Sequence, residues 1–108
     1  MIRIEMLRRG AETCGFTVSG HAGYAEEGSD IVCSAVSALT IATANGLESI
    51  ARVPVTVTDN GKELTCILRE CSESQRHDAS ILLDSMEAAL ADIRRNYKQY
   101  LKISDREV

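Results

Sequence analysis

The stretch IVCSAVSALTIATANGLESIA, residues 31–51, decides the fold. Val32, Val36, Leu39, Thr43, Leu47 and Ile50 recur within it at i, i+4, i+7, i+11, i+15 and i+18. At about 100° per residue they occupy roughly 80° of a helical wheel, so the segment reads as a helix with one core-facing stripe. A second face carries Ser34, Ala35, Ala38, Ile41, Ala42 and Asn45, and no charge falls between Asp30 and Glu48. A helix uncharged over that length is expected to be covered on more than one side, by its own sheet and by a surface such as a partner chain.

Upstream, MIRIEM alternates Ile2, Ile4 and Met6 with Arg3 and Glu5, which makes residues 1–8 a strand. After the Gly10 turn, residues 13–21 read as a second strand, with Phe16 and Val18 on one face and Thr17 and Ser19 on the other. Downstream, VPVTVTD and KELTCILRE are two β-rich runs joined through Asn60-Gly61, a pair that favours a tight hairpin. Pro54 places the first run at a sheet edge or bulge. Residues 74–97 form an amphipathic helix, with Leu82, Met86, Ala89, Ile93 and Tyr97 opposed by Asp84, Glu87, Asp92 and Arg95. LKISDREV adds a possible final strand. The fold class expected is α+β, in the order β-β-α-β-β-α with a possible last strand: a mainly antiparallel sheet with two helices packed on it, forming one domain over residues 1–108.

Twelve basic against 16 acidic residues give a net charge of -4, without the concentrated basic face that nucleic acid requires. The N-terminus lacks a signal-peptide pattern, and no segment reads as a membrane span, so a cytosolic protein is expected. In that reducing compartment Cys14, Cys33, Cys66 and Cys71 are expected as free thiols or ligands.

Chemistry concentrates in GHAGYAEEGSDIVCSA, residues 20–35, where His21 precedes Cys33 by 12 positions. Ser29 or Asp30 should cap the helix, which puts Cys33 in its first turn. Amides and the positive end of the helix dipole there favour a thiolate, and the same amides are placed to hold an oxyanion. His21 is the natural proton donor to a leaving amine, since His77 has no evident link to Cys33. Gly23 and Gly28 are joints that let the intervening loop fold back or open. Ser37 and Thr40 lie within about 40° of Cys33 on the helix and line a pocket behind the sulfur or bond back to helix carbonyls.

The plainer readings are that Cys33 is a small core residue, Asp30 a cap, and Glu26 and Glu27 a solvated tip. A metal site drawing His21 and Cys33 together with Cys66 and Cys71 lacks the paired close spacing of structural zinc ligands. Neither a metal nor another cofactor is therefore expected.

GHAGYAEEGSDIVCSAVSAL, residues 20–39, resembles the signature of the bacterial ribosomal-processing cysteine protease family, in which G-H-A-G, a loop ending in G-x-D, and a cysteine three residues later recur. The resemblance implies His21 as catalytic histidine and Cys33 as nucleophile. It matches the motif's glycines to Gly20, Gly23 and Gly28, its aspartate to Asp30 and its helix serine to Ser37, and it departs at Ser34, where alanine is usual. It further implies removal of an N-terminal extension, rich in apolar and aromatic residues, from the large-subunit ribosomal protein numbered twenty-seven, and a homodimer. A non-catalytic ribosome-assembly binder is the alternative.

Overall fold

The structure, a computed structural model, describes residues 1–26 and 30–108. Strands β1 (Ile2–Arg9), β2 (Glu12–Ser19), β3 (Val55–Asp59), β4 (Glu63–Leu68) and β5 (Leu101–Glu107) form one sheet in the order β3-β4-β2-β1-β5. Helix α1 (Ile31–Asn45) follows β2, and α2 (Glu73–Tyr97) follows β4. All strand pairs are antiparallel except β1 with β5, so the possible last strand is real and parallel. Pro54 immediately precedes β3, which is an edge strand, as expected.

Alternation in β1 sends Ile2, Ile4 and Met6 into a core shared with Phe16, Val32, Val36, Leu47, Leu83 and Leu90. Gly15 lets β2 and β4 approach, because a Cβ there would lie 2.2 Å from the Cys66 carbonyl. The face opposite Phe16 is not simply polar and wet: Thr17 is buried and its hydroxyl donates to Glu5 Oε1 at 3.2 Å. Helix α2 starts at a capping box that the sequence reading passed over, with Ser72 Oγ accepting from Gln75 and the Gln75 side chain accepting from Ser72 N–H. Its buried stripe is Ala79, Leu83, Met86 and Leu90, turned from the expected one.

The first helix also departs from its expected register. After Asn45 it passes into a single π-helical turn, Gly46–Ile50, closed by Ala51 N–H to Gly46 C=O at 2.9 Å. That turn holds more residues than an α-turn, so positions beyond it rotate off the stripe. Leu47 stays buried while Ile50 is 82% exposed, against the expectation that both face the core. By length and composition alone Ile31–Ile50 could cross a membrane, which corrects the expectation that no segment would qualify. Here Val32, Val36, Thr40 and Ala44 are buried and the helix packs along α2.

Candidate active site

The site forms where β2 ends and α1 begins. At Gly20 the chain turns with φ +83°, and a Cβ would lie 2.3 Å from the Met1 carbonyl, so the strand end passes the start of the chain closely. The Met1 amine donates to the His21 carbonyl at 2.5 Å, which fixes the histidine backbone while its side chain stays about half exposed. Four successive backbone N–H groups then turn inward. Ala22 donates to Cys33 Sγ at 3.4 Å, Gly23 (φ +71°) to His21 Nδ1 at 3.1 Å, and Tyr24 and Ala25 to Asp30 Oδ2 at 3.0 and 3.3 Å.

Asp30 is the N-cap, resolving the choice left open with Ser29: its Oδ1 accepts from Val32 and Cys33 N–H, each at 3.0 Å. The residue is 2% exposed, so its carboxylate joins the returning loop to the helix start. Burial pushes its pKa upward, but the hydrogen bonds from Cys33, Ala25, Tyr24 and Val32 outweigh this and hold it below the ordinary carboxylate value. His21 Nδ1 lies 4.0 Å from Asp30 Oδ2. Gly23 N–H donates to Nδ1, so that nitrogen presents its lone pair to the returning loop.

An imidazole nitrogen of His21, a carboxylate oxygen of Asp30 and Cys33 Sγ all lie within 4.8 Å of one another. This donor set could meet a metal ion, although both Asp30 oxygens already accept two N–H bonds each. Cys66 and Cys71, the other two members of the four-residue metal hypothesis, are not in the group. Cys66 is in the core, and Cys71 lines a groove of about 620 Å³ at the opposite end of the sheet with Cys14, Arg76 and His77. All four cysteines are free thiols.

One other expectation changes. The Val32 and Cys33 amides thought to hold an oxyanion are taken by Asp30, and the Ser34 amide by the Asp30 carbonyl. Of the two readings open for Thr40 the structure has the second, since its buried hydroxyl bonds back to Val36 C=O at 2.9 Å. Ser34 Oγ donates to the Asp30 carbonyl at 3.0 Å, and Ser37 lies exposed one turn beyond Cys33. Gly28, to which a hinge was assigned, lies with Glu27 and Ser29 outside the described residues.

An aromatic cluster beside the site escaped the sequence reading. Tyr24 stands edge-on to Tyr97 and Tyr100, with ring centroids 5.6 and 5.2 Å away. Its one visible signal was that Tyr24 is the only large apolar side chain between His21 and Ile31.

A family model described as cysteine protease Prp matches residues 1–102. The ribosomal processing cysteine protease Prp of Bacillus subtilis (strain 168) is 31% identical over 93 residues, covering 82% of this chain and 82% of that protein. Among solved structures, an essential ribosomal processing protease Prp from S. aureus, in complex with a covalently linked product peptide, aligns with TM-score 0.86 at 21% identity, covering 98% of this chain and 100% of that one. SMU.848 from Streptococcus mutans aligns with TM-score 0.83 at 24% identity, over 100% of this chain and 96% of the other.

Proposed function

The chain belongs to the cysteine protease Prp family, and we propose that its residues 1–108 act as one cytosolic domain that removes the N-terminal extension of the large-subunit ribosomal protein numbered twenty-seven, using Cys33 and His21 as a dyad. The observation that carries this reading is the approach of His21 and Cys33 within 4.8 Å, with the Ala22 N–H directed at the sulfur.

Cys33 gives its proton to His21 and attacks the scissile carbonyl carbon as thiolate. The imidazolium so formed carries hydrogen on both nitrogens, so Gly23 N–H must leave Nδ1, and Asp30 Oδ2 at 4.0 Å is the carboxylate that faces the new charge. With the helix-start amides committed to Asp30, the Ala22 N–H is the donor placed to turn from sulfur to the oxyanion of the tetrahedral intermediate. Collapse breaks the C–N bond, His21 protonates the departing amine, and a thioester remains. Water, deprotonated by His21, cleaves the thioester and regenerates the thiol. The covalently linked product peptide held by the S. aureus protease supports this covalent step. Gly20 and Gly23 shape the loop over the peptide, and Ser34 and Ser37 border the nucleophile. A second copy of the chain covers the exposed uncharged face of α1, which presents Ile31, Ala38, Ile41 and Ala42.

The test is mass spectrometry of a peptide spanning the extension junction after incubation with wild type, Cys33→Ala and His21→Ala. A single cut made by wild type alone is expected. No cut of the cognate peptide by wild type, or a cut that persists in Cys33→Ala, overturns the dyad.

A further inference from the structure

Every backbone N–H from Ala22 to Ala25 is directed at the reacting groups or at the carboxylate between them. Gly23 is in a left-handed conformation with nothing within 4 Å of its Cβ position, and Ala25 contributes only a methyl group. Ala22 is buried, but its side chain is likewise a single methyl. The large side chain in the run is Tyr24, which leaves the site and seats against Tyr97 at the end of α2 and Tyr100 just before β5. Tyr97 and Tyr100 in turn stand 6.5 Å apart, so the three rings form one cluster on the body of the fold. Both contacts of Tyr24 are edge-on with interplanar angles of 81°, a favoured aromatic geometry.

We propose that Tyr24 is the positioning residue of the dyad, an aromatic anchor on Tyr97 and Tyr100 that sets the 22–25 backbone against Cys33, His21 and Asp30. The proposal rests on the reading of Cys33 and His21 as the reacting pair. Its physical content is specific. With the anchor in place, Ala22 N–H stabilises negative charge on sulfur and Gly23 N–H selects the histidine tautomer. Without it, the segment keeps its sequence and loses its fixed aim. The contacts that anchor Tyr24 are made by its ring, so phenylalanine should substitute for it.

The experiment is the rate of Cys33 alkylation by iodoacetamide at one fixed pH, read at that residue by mass spectrometry, in wild type, Tyr24→Phe, Tyr24→Ala and Tyr100→Leu. Thermal unfolding and kcat and KM on the junction peptide accompany it. Tyr24→Phe is expected to keep the wild-type alkylation rate and kcat. Tyr24→Ala should slow alkylation of Cys33 about tenfold and lower kcat more than KM. Tyr100→Leu, which alters the anchor from the body side, should change the rate in the same direction. A Tyr24→Ala alkylation rate equal to wild type overturns the proposal, as does a Tyr24→Phe rate lowered as far as the alanine one. Lowered rates in a protein whose wild type does not cleave the peptide would remove the protease reading and leave the positioning role standing. Intact wild-type cleavage with unchanged alkylation rates would do the reverse.

Discussion

Gly20→Ala tests whether the seam between the chain start and the end of β2 holds His21 in place. Gly20 and Gly61 share φ +83°, but only at Gly20 would a Cβ meet anything, the Met1 carbonyl oxygen at 2.3 Å. Gly61→Ala therefore isolates the backbone cost, about 1–2 kcal/mol for an L-residue in left-handed geometry. Gly20→Ala carries the same cost and an overlap. To restore ordinary contact near 3.4 Å, Met1 has to retreat by about 1 Å. Forced shifts of well-packed neighbours cost typically about 1–3 kcal/mol more. In thermal unfolding, Gly20→Ala should thus melt at least about 4 °C below Gly61→Ala. The retreat also pulls the Met1 amine from the His21 carbonyl. On the junction peptide, kcat/KM should stay at the wild-type level in Gly61→Ala and fall about tenfold or more in Gly20→Ala, since ångström displacements at a reacting pair carry penalties of that order. Equal melting temperatures for the two variants would refute the reasoning.

The lowered pKa of Asp30 means the folded state holds that carboxylate proton less readily than the unfolded chain, so its stabilisation is present above the ordinary carboxylate range and lost as pH falls through the lowered value. Asp30→Asn should remove that part of the acid dependence in urea midpoints measured from about pH 6 to 3, and an unchanged acid limb would contradict the assignment. Burial, with Glu48 adding repulsion, pushes the Cys66 thiol from 9.0 up to about 11. Native protein at neutral pH should therefore alkylate at Cys33 before Cys66, and its stability should fall as pH rises from 9.0 toward 11; early labelling of Cys66 would show the core to be open. Leu83→Ala, at a fully buried site on α2, should cost about 2–5 kcal/mol in urea unfolding, and a loss under about 1 kcal/mol would mean the site collapses around the deletion.

Much of the fold was legible because local rules agreed with it. Ile2, Ile4 and Met6 alternate as a half-buried strand must, and Pro54 sits where an edge strand tolerates it. Long-range effects were not legible. No periodicity in residues 31–51 announces the π turn at Gly46–Ile50, in which Leu47 is buried and Ile50 faces outward. Thr17 looks like a surface residue until Glu5 on the next strand is seen to cover it. At the site, His21, Asp30 and Cys33 could be named from residue type and spacing, and the structure brings them together. What spacing could not reveal was competition for donors: an N-cap carboxylate with four backbone partners uses the very amides that appeared ready for an oxyanion. Nor could it bring Tyr24 to Tyr97 and Tyr100, which lie more than seventy residues further along the chain.

The parallel pairing of β1 with β5 has a consequence in time. Ile2 lies beside Leu101 and Arg8 beside Glu107, so the second strand to flank β1 is made nearly a hundred residues after it. At about 5–20 residues per second, the growing chain waits roughly 5–20 s with one edge of β1 bare. Such an edge is open to mispairing, and closing so long a loop slows the final docking step. His21 is tied by its carbonyl to the Met1 amine at the head of that strand. A nascent chain stalled short of residue 101 would thus carry His21 and Cys33 on a sheet that still lacks one of its five strands.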